Sequence, residues 1–503
     1  MQRNILEYLE HTVTLCPDKV AFANEEVELT FSQVYTQARA IGSSLYREGY
    51  YKKPVVVFMK KHPKVLAAFL GTIYAGCYYV PLDDEMPRYR IELIFQALEP
   101  GALICDDTTA GITSELNYQG RVFNYEELVS GKEDSASLAM IRDKQLDIDP
   151  IYIVFTSGST GVPKGVISCH RSVIDYVENL CDVLKFNEAS VFGNQTPLYF
   201  DAYLKEVIPT LKYGATTVLI PKQLFMFPIK LVEFLNAHKI NTLCWVVSAL
   251  TMISSFRTFE KVKPEYLHTV AFASEVFPIK QFNLWKAALP RARFINLYGP
   301  TETTGICCYY EVDREFAEHE TLPAGRPFKN TEIILLDENN QVPPVGQQGE
   351  ICVRGTRLTL GYYRNPQKTA EVFVQNPLNN LYPELIYRTG DIGRLNDRGE
   401  LEFAGRKDYQ IKHMGHRIEL GEIEVIVNMH PDVRSACCIF DDTKKKIVLY
   451  YTGNIGLAEL NAYIKNKLPR YMIPNITRQL DTLPLTPNGK IDRNKLKTLC
   501  KEI

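Results

Sequence analysis

Short apolar runs alternate with amphipathic stretches of helical period along much of this chain. Val55–Met59 reads as a strand and Pro63–Tyr74 as an amphipathic helix; after Ala75-Gly76 a second apolar strand runs to Pro81. That is a βαβ signal. The same alternation recurs around Gly101–Cys105, Ile151–Phe155, Thr216–Ile220, Thr242–Val247, Thr269–Phe272 and Phe294–Leu297, which implies a large α/β region. Residues 131–148 are polar and read as a surface loop. After Asp391 the character changes. Leu401–Phe403 and Gln410–Lys412 read as short strands about a turn at Gly405–Asp408, so a domain boundary is expected there. Leu420–Met429 and Leu457–Lys467 then read as helices, and Arg434–Ile439 and Lys446–Tyr451 as strands. This is an α+β pattern of about 95 residues, an ordinary domain size.

Composition narrows the class. Of 503 residues, 46% are hydrophobic and 23% charged, as in a soluble globular protein, and a net charge of −2 offers no electrostatic footprint for nucleic acid. No run reaches the roughly 18 apolar residues that cross a bilayer, and the first residues carry acidic groups where a secretion signal needs an apolar core. A cytoplasmic protein with no membrane partner is expected. The 12 cysteines form no C-x-x-C pair and the 9 histidines no H-x-x-x-H pair, so reduced, buried thiols are expected and a transition-metal site is not.

The chemistry concentrates in residues 153–165, where an apolar strand opens into hydroxyls, glycines and one lysine. Thr156, Ser157, Ser159 and Thr160 offer hydroxyl donors; Gly158, Gly161 and Gly165 allow backbone N–H groups to approach an anion; Lys164 adds positive charge. The spacing is not that of the common P-loop, so a different nucleotide-handling architecture is implied.

This loop is followed at a distance by Asn296–Thr304 (NLYGPTETT). Further segments are Ala75–Asp83, Gly349–Gly355, Tyr387–Asp391, Gly405–Lys412 and Asn488–Asp492. In that order they identify the chain as resembling the adenylate-forming superfamily, closest to amino-acid adenylation domains of nonribosomal peptide synthetases and D-alanine–carrier-protein ligases. The resemblance implies a large multi-lobed α/β N-terminal domain at 1–405 and a small mobile α+β C-terminal domain at 409–503, with a hinge near Asp408. It also implies a two-step reaction. ATP and a carboxylic acid give an acyl-adenylate and pyrophosphate, and a thiol then takes the acyl group.

On the same resemblance, Thr156 to Lys164 would hold the phosphates, and Lys490 would neutralise charge as the carboxylate approaches the α-phosphate. Glu302 would hold Mg²⁺. Asn296 and Tyr298 would contact adenine, with Gly299 and Thr301 beside them, and Asp391 would receive the ribose hydroxyls with Arg406 as a second contact; a purely structural Arg–Asp pair is the competing account. Phe403 stands where relatives often carry Tyr, which removes one ribose contact. Lys412 and Gly415 would face the thiol tunnel after domain rotation, although Gly415 also reads as a plain turn glycine.

The acid is indicated by Asp201, which aligns with the aspartate that receives a substrate's α-ammonium; a helix N-cap is the alternative. Around it the pocket would contain Ala202, Lys205, Cys244, Ala271, Ala273, Leu297, Gly305 and Ile306. Lys205 is the unusual member. It would pair with an acidic substrate side chain, or with Asp201 four residues earlier, or face solvent. A small amino acid and an acidic one both stay open. No segment has the context of a phosphopantetheine carrier, and the chain stops 13 residues after Lys490, so a free-standing enzyme loading a separate holo acyl or peptidyl carrier protein is expected. The alternative is an acyl- or aryl-CoA ligase of the same fold. A non-catalytic adenylate binder would have lost Lys164, Glu302, Asp391 or Lys490, and all four are present.

Overall fold

Parallel strands with buried faces dominate the larger part of the chain because valine, isoleucine and aromatic runs are long enough to be covered on both sides. The computed structural model describes residues 2–98, 101–116, 118–158, 161–486 and 491–501. Among them, a nine-stranded sheet has the order Arg326–Pro327, Cys308–Glu311, Arg293–Tyr298, Thr269–Ala273, Thr242–Val246, Val191–Asn194, Thr216–Leu219, Val20–Ala23, Glu28–Thr30. Its central strands pair in parallel, and antiparallel strands close both edges.

A six-stranded sheet has the order Arg121–Asn124, Ala102–Cys105, Pro54–Phe58, Tyr78–Leu82, Pro150–Thr156, Lys164–Cys169. The helix Phe31–Arg47 starts with a reciprocal cap between Thr30 and Gln33, and Pro63–Tyr74 starts with proline in its first turn after His62. These two helices approach closely: a Cβ on Gly42 would lie 2.5 Å from Tyr74 Cβ. A third sheet, Thr331–Leu336, Gly349–Gly355, Leu385–Leu395, Phe373–Gln375 and Leu401–Arg406, is antiparallel throughout.

Two compact units are present. The first comprises 1–84, 100–154 and 165–407, and the second 85–99, 155–164 and 408–503. The second contains the hairpin Gln410–His413/His416–Glu419, a three-stranded sheet (Val433–Asp441, Lys446–Gly453, Ile476–Gln479) and helices Leu420–Asn428, Leu457–Lys467 and Arg493–Lys501. Ile423, Val427, Leu449, Tyr451, Leu460 and Ile464 form its core.

The helix Pro63–Tyr74 spans the residues that the pattern predicts. The stretch 131–148, expected as a loop, instead contains the helix Ser135–Lys144. Asp134 caps it by accepting a bond from the Ser137 N–H, and Leu138 and Ile141, one turn apart, are its buried anchors. Two anchors in a polar segment give too weak a period to register as a helix.

Candidate functional site

In the first unit the carboxyl ends of the parallel strands gather the residues singled out by sequence. Cys244 lies opposite Ala271, and Ala273 lies beside both Val246 and Leu297. Beyond Tyr298 the chain turns at Gly299, where a Cβ would sit 2.5 Å from Gly305 O and 2.6 Å from Ile306 Cα, so only glycine lets the two segments touch. A Cβ on Gly305 would in turn lie 3.7 Å from Asp201 Oδ2 and 3.9 Å from Tyr176 Oη. Asp201, Gly305 and Tyr176 therefore share one buried corner. Asp201 is 9% exposed and opens the short turn Asp201–Tyr203, while the N-cap position belongs to Phe200. Cys244, Ala271, Ala273, Leu297 and Ile306 are buried, and Ala202 is half-buried.

Lys205 sits on the helix Leu204–Tyr213 and is 2% exposed. Among the described residues it has no hydrogen bond and no ion pair within 4.0 Å, so it is neither solvent-facing nor bridged to Asp201. Its neighbour Glu206 is fully buried. Burial pushes the Glu206 carboxyl up to about 7, against the opposing influence of Lys205, the Asn194 Nδ2–H bond and Lys61. Lys61 Nζ donates to Asn194 O at 2.9 Å and Gln195 O at 3.2 Å, and burial pulls it down to about 7.

Tyr298 Oη donates to Asp391 Oδ2 at 2.6 Å, and Arg406 pairs with the other carboxylate oxygen. Arg406 and Asp391 thus form an ion pair. Asp391 is 1% exposed, and burial together with Asp391 drives the Tyr298 phenol well above its ordinary value. Asn296 Nδ2 donates to Pro323 O at 2.7 Å. Glu302, in the turn Thr301–Thr303, is fully buried and accepts from Tyr362 Oη at 2.7 Å; Thr301 at the head of the turn is half-buried. The buried Arg357 braces the following backbone by donating to Ile306 O at 2.7 Å and pairing with Asp175 at 3.0 Å.

In the second unit, Ser157 Oγ donates to Arg417 O at 2.9 Å, the Gly158 N–H donates to Glu422 Oε2 at 3.1 Å, and Lys164 Nζ lies 3.6 Å from Glu419 Oε1. Glu422 also pairs with Arg90, and burial raises its carboxyl against that pairing and the Gly158 bond. The Gly158 N–H and Lys164, two loop groups that could grip an anion, thus already face carboxylate oxygens, while Ser157 holds a backbone carbonyl. Thr156 Oγ1 is buried without a hydrogen-bond partner among the described residues. A Cβ on Gly158 would lie 2.0 Å from Val162 O, and Gly161 holds φ at +82°. Met414 and Gly415, at φ +51° and +78°, make the two-residue turn of the Gln410–Glu419 hairpin, so Gly415 is a turn glycine; Lys412 is half-buried on its first strand. Asp408 is exposed and accepts from the Gln410 N–H at 3.2 Å. Ser159, Thr160 and Lys490 lie outside the described residues.

Sequence reasoning passed over Tyr176, Lys61, Glu206, Tyr362, Arg357, Glu419 and Glu422. Only Glu206 carried a local signal, being next to Lys205. Among the described residues no group of three or more His, Cys, Asp or Glu could hold a metal, and no helix is long and apolar enough to cross a membrane.

The family model for AMP-binding enzymes matches residues 9–363, and that for the AMP-binding enzyme C-terminal domain matches residues 422–490. Tyrocidine synthase 1 of Brevibacillus parabrevis is 31% identical over 98% of this chain and 45% of that protein, so the chain spans less than half of that relative. Among solved structures, NpsA-ThdA, an artificially fused adenylation–PCP di-domain NRPS from Klebsiella oxytoca, superposes with a TM-score of 0.81 at 22% identity, covering 96% of this chain and 95% of that one. The o-succinylbenzoate CoA synthetase of Bacillus subtilis superposes with a TM-score of 0.85 at 20% identity, covering 99% and 98%. At such identities the two structures speak for the fold alone. Family model and fold agree, and the chain belongs to the AMP-binding enzymes, the adenylate-forming ligases built from a large N-terminal and a small C-terminal domain.

Proposed function

We propose that this chain activates an amino acid as its aminoacyl-adenylate, with release of pyrophosphate, and transfers the acyl group to the phosphopantetheine thiol of a separate carrier protein. The observation that carries the reading is the buried Asp201 carboxylate beside Gly305 and Tyr176. An acid ligase for substrates without an amine has no use for a negative charge held there.

In this reading Asp201 binds the α-ammonium and turns the substrate carboxylate outward. Lys490 offsets the charge that accumulates as a carboxylate oxygen bonds to the α-phosphorus and the bond to the β-phosphate oxygen breaks. Thr156, Ser157, Gly158, Ser159, Thr160, Gly161 and Lys164 hold the departing phosphates. Their fit is supported by the Thr156 hydroxyl, which has no hydrogen-bond partner among the described residues, and by a Gly158 N–H that already donates to a carboxylate oxygen, an acceptor of the kind a phosphate offers. Asp391 takes the ribose hydroxyls by exchanging its present partners Tyr298 and Arg406, and Asn296, Tyr298, Gly299 and Thr301 frame the base. Glu302 fits Mg²⁺ as a single hard oxygen ligand, its carboxylate held by the Tyr362 hydroxyl, and Mg²⁺ would share its remaining positions with phosphate oxygens and water. When bound, Mg²⁺ neutralises phosphate charge. Rotation about Asp408 then brings Lys412 and Gly415 to the thiol, whose sulfur takes the acyl carbon as AMP leaves.

The test is amino-acid-dependent ATP–pyrophosphate exchange over both enantiomers and over acids lacking the amine, followed by thioester formation with CoA or a holo carrier. Exchange driven by an amino acid and capture by the carrier are expected. Exchange driven only by an amine-free acid, or capture by CoA alone, would favour an acyl- or aryl-CoA ligase instead.

A further inference from the structure

We propose that Lys61 is a positioning residue for substrate recognition: it fixes the backbone from which the Asp201 loop springs, and so sets where the Asp201 carboxylate stands. This rests on the reading of Asp201 as the α-ammonium partner. Lys61 follows the strand Pro54–Phe58 of the six-stranded sheet, and its amine reaches the ends of two strands of the nine-stranded one. Lys61 Nζ donates to Asn194 O at 2.9 Å, where the strand Val191–Asn194 ends, and to Gln195 O at 3.2 Å. Its third bond goes to Ile220 O at 3.4 Å, just beyond the strand Thr216–Leu219.

Residues 195–200 are irregular and lead directly into the Asp201–Tyr203 turn. The side-chain oxygens of Gln195 and Thr196 are buried and take no hydrogen bond among the described residues, so the start of this loop is held through its backbone. On its far side is the helix Leu204–Tyr213, where Glu206 accepts from Asn194 Nδ2 at 3.1 Å. Asn194 and Glu206 are both fully buried. Their bond closes the segment on itself, tying a residue before Asp201 to one after it, and Lys61 fastens that closure to the sheet. Glu206 and Asp83 favour the charged amine, which burial lowers to about 7. Charged or neutral, the amine keeps at least two N–H donors for these carbonyls. A binding group has to be held to within about 0.5 Å by the shell behind it, and for Asp201 this brace is that shell.

The experiment is ATP–pyrophosphate exchange on the full chain, with the preferred amino acid and with its analogue lacking the α-amine. The enzymes are the wild type, Lys61→Met, Lys61→Arg, Asp201→Asn and the double variant Lys61→Met/Asp201→Asn. Positioning predicts that Lys61→Met raises the KM for the amino acid about tenfold, the worth of one hydrogen bond to a charged group, while the KM values for the analogue and for ATP change less than about threefold. Lys61→Arg should restore most of the loss, and Lys61→Met should cost nothing further in the Asp201→Asn background. Circular dichroism and the thermal midpoint check that each variant folds. If Lys61→Met does not, Glu206→Leu, which breaks the closure from its other side, takes its place in the same cycle, and failure of both to fold overturns the assignment. Equal losses on both substrates, or an undiminished loss in the Asp201→Asn background, overturn it as well while leaving the amino-acid reading intact. A wild type that makes no distinction between the amino acid and its analogue overturns both.

Discussion

Asp201→Asn removes a charge while keeping the side chain's shape, so it isolates the electrostatic part of substrate recognition. Asp201 is 9% exposed and its carboxylate lies against Gly305 and Tyr176, a corner with little water to screen it. Removing one partner of a buried charge pair costs about 3–5 kcal/mol. The amide oxygen still accepts a hydrogen bond from the ammonium, which puts the loss at the lower end, about 3 kcal/mol. At 1.4 kcal/mol per decade this is a fall of roughly a hundredfold in kcat/KM for the amino acid. The assay is ATP–pyrophosphate exchange, run with the preferred amino acid and with its analogue lacking the α-amine. The two substrates and two enzymes form a double-mutant cycle. The wild type should discriminate strongly between them and the variant weakly, with the KM for ATP unchanged within a few-fold. Equal losses on both substrates, or a loss below about threefold, would refute the ammonium-binding role.

Other perturbations have equally definite outcomes. Gly158→Ala would drive a Cβ to 2.0 Å from Val162 O, so the loop must rearrange; overpacking of about 1–3 kcal/mol predicts roughly a tenfold rise in the KM for ATP, read by exchange kinetics. Lys490→Ala should lower adenylation by about a hundredfold or more while thiol transfer from preformed adenylate changes little; equal loss in both half-reactions would sink its assignment. His170 tests the pH dependence of stability. It is 1% exposed, accepts from the Ile5 N–H at 3.2 Å, and burial pulls its pKa down to about 3. As pH falls below the unfolded value near 6.5, the unfolded chain takes up a proton that the folded chain refuses until about 3, so stability drops on acidification. At pH 5 the loss is about 2 kcal/mol, and His170→Gln should flatten that part of the profile in denaturant melts at pH 7.5 and 5.

The fold was legible wherever burial imposes a strict period. The parallel strands announced themselves as short apolar runs, and the helices Pro63–Tyr74 and Leu457–Lys467 as sustained amphipathic stretches. Ser135–Lys144 was not, because it needs only Leu138 and Ile141 to dock. At the candidate site, chemistry confined to one segment could be read from that segment, as with the hydroxyl and glycine loop before Lys164. Partnerships made through tertiary structure could not. Nothing near Glu302 signals Tyr362, 60 residues later, and nothing near Gly158 signals Glu422, 264 residues later. The burial of Lys205 was equally hidden, since a lysine four residues after an aspartate is compatible with a surface ion pair until the packing of the helix is known.

Oxygen tracing addresses the central claim most directly. An amino acid labelled with ¹⁸O in its α-carboxylate is incubated with the enzyme, ATP, Mg²⁺ and a holo carrier protein, and AMP and pyrophosphate are then weighed by mass spectrometry. Attack of the carboxylate on the α-phosphorus predicts AMP carrying one ¹⁸O, unlabelled pyrophosphate and an aminoacyl thioester on the carrier. Unlabelled AMP with label in phosphate or pyrophosphate would contradict the account.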